Sequence, residues 1–165
     1  MQAFDDATIG PADTYTKSLT DWVTIDRIKP ERLVANISAD NGMYKDNGKR
    51  SKQSTAVVAE LQYQLIDENG NPYGPVYTKQ GTVTGRSADF TGVSIIAILP
   101  APSAVRVRAR RVTNLDLDFD GQVVDEIKYV NLYGQIQDKT SDYGNRTTIH
   151  TARKQTPRAS AVKQP

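Results

Sequence analysis

Apolar and polar residues alternate with a period of two through the middle of the chain. The pattern is clearest in SAVRVRARRVT, residues 103–113, where Val105, Val107 and Ala109 fall out of phase with Arg106, Arg108 and Arg110. That alternation predicts a half-buried β-strand with small apolar groups inward and three guanidinium groups outward. A helix would bury at least one of the arginines. The phase breaks at Arg110-Arg111-Val112, which predicts a bulge or the end of the strand. Pro100 and Pro102 keep the approach to it out of any helix. The outward arginines read as a solvated face paired with neighbouring acids, or as a surface for an acidic partner.

The same rhythm marks the other elements. Trp22, Val23, Ile25 and Ile28 predict a strand within residues 21–28, and Leu33, Ala35 and Ile37 point inward from a second over 32–38. Asp40-Asn41-Gly42 supplies turn chemistry, Met43-Tyr44 is a short apolar patch, and DNGKRSKQS (46–54) reads as a mobile solvated loop or a contact loop. Residues 55–67 form the longest predicted strand, with Val57, Ala59, Leu61, Tyr63 and Leu65 on one side and Glu60, Gln62 and Gln64 on the other. Residues 68–72, ENGNP, are a hairpin turn. Residues 76–84 return as a more polar edge strand, with Gly81 and Gly85 suited to bends. TGVSIIAIL (91–99) is a continuous apolar run that fits a strand buried on both faces or one crossing the sandwich. Residues 125–133 close the set.

These elements predict an all-β fold: an antiparallel β-sandwich of 7–8 strands over residues 21–137. Residues 1–20 read as an N-terminal arm or linker, and 138–165 as a basic extension leading to a further domain. Val57, Leu61, Tyr63, Ile96, Val105 and Val107 are expected to share one core.

Composition sharpens this picture in one respect. The 165 residues carry 21 Lys and Arg against 19 Asp and Glu, yet residues 139–165 hold six cations against Asp142, a net +5 that leaves the body at −3. An acidic body with a basic tail suggests a segment that docks elsewhere. The chain has no cysteine, which excludes a disulfide framework and mildly favours intracellular assembly. No apolar run reaches the roughly 18 residues of a membrane span, so no membrane insertion is expected. MQAFDDATIG lacks the basic and apolar regions of a signal peptide, and the sequons at Asn36 and Asn145 then read as chance matches.

Candidate chemistry is sparse. The one histidine, His150, lies in the basic tail without the partners that a metal site or catalytic triad needs. Asp116-Leu117-Asp118-Phe119-Asp120-Gly121 matches the first half of a calcium loop, with Asp116, Asp118 and Asp120 as candidate ligands. The twelfth position is Ile127 rather than a glutamate, and Asp125 and Glu126 come early. The segment reads better as a hairpin tip whose Leu115, Leu117 and Phe119 face a partner or fold over the core. No acid, base and nucleophile form a matched set, so neither an enzyme nor a cofactor is expected. The acidic body and the lack of an aromatic after Tyr143 argue against nucleic-acid binding.

Several segments resemble a known family. They are ERLVANISADNGMYKDNGK (31–49) leading into VAELQYQLIDENGNPYG (58–74), AVRVRARRVTN (104–114), and VVDEIKYVNLYGQI (123–136) running on to YGNRTTIHTARKQTPRASAVKQP (143–165). In this order and spacing they resemble the tail-tip attachment proteins of long-tailed bacteriophages, the host-specificity protein J family. The VRVRARR strand also resembles the penultimate strand of fibronectin type III modules, which implies that the expected sandwich is immunoglobulin- or fibronectin type III-like. The resemblance implies a non-enzymatic virion structural role at the tail tip, assembled in the host cytoplasm. It implies a ring of three copies contacting other tail-tip proteins, with host attachment and DNA delivery belonging to the full-length protein. Family members are many times longer, so the chain reads as an internal segment. The candidate interaction residues are Arg106, Arg108, Arg110, Leu117, Phe119, Arg153 and Lys154. The alternative is a free-standing adhesion or carbohydrate-binding sandwich, with its tyrosines and the 114–121 hairpin as the binding surface.

Overall fold

Side chains that alternate between water and core make a strand two-faced, and two such sheets bury their apolar faces against each other. The computed structural model describes residues 7–9, 19–49 and 51–136, and among them ten strands. In chain order these are β1 (Ala7–Ile9), β2 (Val23–Ile25), β3 (Arg32–Ala39), β4 (Tyr44–Asp46), β5 (Thr55–Ile66), β6 (Pro72–Gly85), β7 (Thr91–Ile98), β8 (Val105–Arg111), β9 (Gln122–Val124) and β10 (Ile127–Gln135). One four-stranded sheet has the order β1-β10-β3-β7, the other β2-β8-β5-β6, and β4 and β9 form a separate ribbon. Every pairing is antiparallel.

The core lies between the two four-stranded sheets. Leu33, Ala35, Ile37, Ile95, Ala97, Tyr129 and Leu132 come from the first; Ile25, Val57, Leu61, Tyr63, Val83, Val105 and Val107 from the second. Polar tips cross between the layers: the Tyr63 hydroxyl donates to the Ile98 carbonyl at 3.4 Å, and the Tyr129 hydroxyl to the Glu60 carbonyl at 3.0 Å. A Cβ on Gly81 would come within 2.8 Å of the Ile95 side chain, so glycine there lets β6 approach β7 closely.

The antiparallel sandwich is as expected, as are the inward faces of β5 and β8 and the edge position of β6. The turn after β5 is held by the Asp67 carboxylate, which accepts from the amides of Asn69 and Asn71, with Gly70 at φ 82°. Two expectations give way. β6, with 14 residues, is longer than β5, with 12. β7 is not buried on both faces: it is an edge strand, and Ile96 and Ile98 lie on its outer side, 53% and 75% exposed, so Ile96 is outside the core. A continuous apolar run cannot distinguish a central strand from an uncovered edge, because the covering comes from elsewhere in the chain. Of the two outcomes expected at the phase break, the strand's end is the one realised, because β8 pairs with β5 through Arg111 without a register shift. Its neighbour on the other side is β2 from the N-terminal half, while β10 joins the opposite sheet. Residues 138–165 lie outside the described residues.

Candidate functional site

The outer face of the β2-β8-β5-β6 sheet carries a polar ladder set by strand register. Arg106 lies opposite Gln64, Arg108 opposite Gln62, and Arg110 opposite Glu60. Arg106 donates to Gln64 Oε1 through Nε at 3.1 Å and a terminal nitrogen at 2.6 Å, and Arg108 Nε donates to Gln62 Oε1 at 2.9 Å. Continuing the β2–β8 register puts Trp22 opposite Arg108 with Arg106 on the diagonal, and both guanidinium carbons sit 4.3 Å from the Trp22 ring centroid. Partial burial, then the charges of Arg106 and Arg110, pull the Arg108 pKa down from its ordinary value.

Arg110 departs from the expected solvated face. It is buried, and one terminal nitrogen lies 2.6 Å from Glu60 Oε1, also buried. Gln62 and Gln80 donate to the same carboxylate at 2.9 and 2.8 Å. Burial works to raise the Glu60 pKa, but these two amides and Arg110 outweigh it and hold the group below the usual carboxylate range. Two of the three arginines thus meet glutamines, and the one acid partner is taken into the protein.

The phase break hid a second buried cation. Arg111 points inward at the end of β8 and is 2% exposed. Its Nε donates to the Thr113 carbonyl at 2.7 Å, and its terminal nitrogens reach the Asp125 carbonyl at 2.8 Å and the Asp125 carboxylate at 2.5 Å. The fork pins both ends of the 112–125 connection to the sandwich. The sequence signal was available: an arginine in the apolar phase of a strand needs a buried acid.

The 114–121 segment is a loop between β8 and β9 that leans on the β4–β9 ribbon. Asp116 pairs with Lys45, whose ammonium also lies 5.4 Å from the half-buried Phe119 ring centroid. The hydrogen bond from Lys45, together with its charge and the amides of Asp118 and Phe119, keeps the Asp116 pKa below the ordinary carboxylate value. Asp118 and Asp120 are exposed. Among the described residues no three His, Cys, Asp or Glu side chains form a group that could hold a metal ion. Leu117 stands 84% exposed, with Leu115 beside it at 42%. The 46–54 loop is tied down: Lys45 and Gln53 exchange backbone hydrogen bonds, Lys52 lies over the Tyr44 ring at 3.8 Å, and Arg86 Nε donates to the Lys52 carbonyl at 2.8 Å.

At the opposite end of the sandwich an open cleft of about 700 Å³ is lined by Asp26, Lys29, Glu68, Asn69, Tyr73 and Ser103, among others. The exposed Tyr73 is steadied by a 3.0 Å hydrogen bond between its hydroxyl and Ser103 Oγ. The arginine ladder and the 114–121 loop are therefore separate surfaces. Arg153 and Lys154 lie outside the described residues.

No protein-family model matches the chain. No curated protein sequence matches it either. Among solved structures it is similar to the receptor binding domain of the spike protein P1 from bacteriophage PM2. The identity is 19% and the TM-score 0.38, covering 69% of this chain and 76% of that one. It is also similar to a structure of the stem and receptor binding domain of the same spike protein, at 19% identity and a TM-score of 0.34, covering 69% of this chain and 49% of that one.

Proposed function

We propose that this chain is a non-enzymatic structural module of a long-tailed phage or prophage tail-tip protein of the host-specificity J type. The observation that carries the reading is the order and spacing of the resembling segments, which span residues 31–165. In this reading the sandwich is a spacer and docking unit, with copies of itself, in a ring of three, and other tail-tip proteins as partners. Host attachment and DNA delivery belong to the longer polypeptide. Two features support a role in contact: the exposed leucines of the 114–121 loop and the uncovered isoleucines of β7. Residues 138–165 would lead on into the next part of the hub. An antibody raised against the chain should label the tail tip of long-tailed virions from its source in negative-stain electron microscopy. Label confined to other structures overturns the proposal.

One observation favours a second reading, a carbohydrate-binding sandwich: the cleft that sets the exposed Tyr73 ring among carboxylates and an amide. Specific binding on a glycan array, lost in Tyr73→Ala, would favour it over the structural module.

A further inference from the structure

β7 lacks the devices that ordinarily stop an edge strand from pairing. Its eight residues include no charge and no proline, and its ladder with β3 runs without a register shift. The Leu99 amide donates to the Glu31 carbonyl at 2.9 Å. By the alternation of an antiparallel ladder, the odd-numbered residues of β7 turn their backbone groups toward β3, and Gly92, Ser94, Ile96 and Ile98 turn theirs away from the sheet. The Ile98 carbonyl accepts from Tyr63, and no described strand pairs with this side of β7. The same positions present Ile96 and Ile98 to solvent, while Val34, opposite Ile96 on β3, is buried.

We propose that this edge takes residues 147–152 of a neighbouring copy as an added strand. The inference rests on the reading that copies assemble. The occupant is argued from where the chain goes. β10 ends with Gln135 opposite Arg32, and Arg32 lies opposite Ile98. Each copy's extension therefore leaves at the end of the sheet where an antiparallel strand on β7 begins. Residues 147–152 read TTIHTA, rich in β-branched side chains and without a carboxylate or a lysine. With Thr147 opposite Ile98, Ile149 falls opposite Ile96 and Thr151 opposite Ser94. Arg153 and Lys154 then arrive at the start of β7, beside the loop that carries Asp89 and the exposed Phe90. Strand addition supplies main-chain bonds, the isoleucines supply register, and a donation that runs from one copy to the next closes a ring.

Hydrogen exchange on the full chain across a concentration series, with mass read by light scattering, tests this. In the assembled state the Ser94 and Ile96 amides should exchange at least about tenfold more slowly than in dilute monomer. Ile149→Pro should erase that difference while the β5 and β8 amides stay protected, which shows that the variant is folded. Assembly with Ser94 and Ile96 as open as in the monomer overturns the inference and leaves the assembly reading intact. A chain that is monomeric at every concentration overturns both. Protection already complete in the monomer places the strand within its own chain, and protection that survives Ile149→Pro assigns the edge to another partner such as a second β7; either result overturns the proposal.

Discussion

Leu61→Ala probes the assignment of inner and outer faces directly. Leu61 is fully buried at the middle of β5, flanked in its strand by buried Ala59 and Tyr63, with Ala109 opposite it on β8. The substitution removes three carbons, worth about 2.4 kcal/mol of transfer free energy at roughly 0.8 kcal/mol per methylene. A cavity term adds to this, because Ala109 is too small to fill the space and both neighbouring strands are held by their ladders. The expected loss is about 3–4 kcal/mol, inside the usual range for a buried leucine. Ile96→Ala is the matched control: on the outer face of β7 it should cost less than about 1 kcal/mol in the isolated chain. Urea titrations followed by Trp22 fluorescence, compared at equal m-values, give both numbers. A Leu61→Ala loss below roughly 0.5 kcal/mol, or an Ile96→Ala loss as large as that of Leu61→Ala, would refute the face assignment.

Three further outcomes are expected. Removing the buried guanidinium with Arg111→Met should cost about 3 kcal/mol, because the largely buried Asp125 carboxylate loses its counter-charge and the Thr113 and Asp125 carbonyls lose their donor; an unchanged melting temperature would contradict that. The Glu60 pKa is held below its ordinary 4.5, so its contribution to stability is present above that pH and is lost as pH falls through the lowered folded value. Urea midpoints measured from pH 7 to 3 should therefore fall less steeply below about pH 4.5 in Glu60→Gln than in the parent chain. With Asp116 engaged by Lys45, millimolar calcium should leave the melting temperature unchanged; a rise of several degrees that Asp118→Asn abolishes would make the 116–120 loop an ion site.

Local alternation was enough to establish seven of the ten described strands, all but β1, β4 and β9, and the buried faces of β5 and β8. A side-chain period of two assigns Val57, Leu61, Tyr63, Val105 and Val107 to one side whatever the strand pairs with, and the Asp67–Pro72 turn is written in its own residues. Neighbours were not legible, because pairing joins residues far apart in the chain. The β2–β8 register is what places Trp22 over two arginines. Burial of charge depends on those neighbours as well. Arg110 and Glu60 both read as solvent-facing until two adjacent strands and Gln80 of a third enclosed them, and Arg111 showed in sequence as a broken rhythm whose partner, Asp125, lies beyond an intervening loop. The run TGVSIIAIL was apolar enough for a strand covered on both faces, and only the order of strands in the sheet left Ile96 and Ile98 on an open edge. Sequence thus determined which side chains of a strand share a face, since that follows from the pleat; the tertiary structure decided what each face lies against, since that follows from which distant segments bury their faces together.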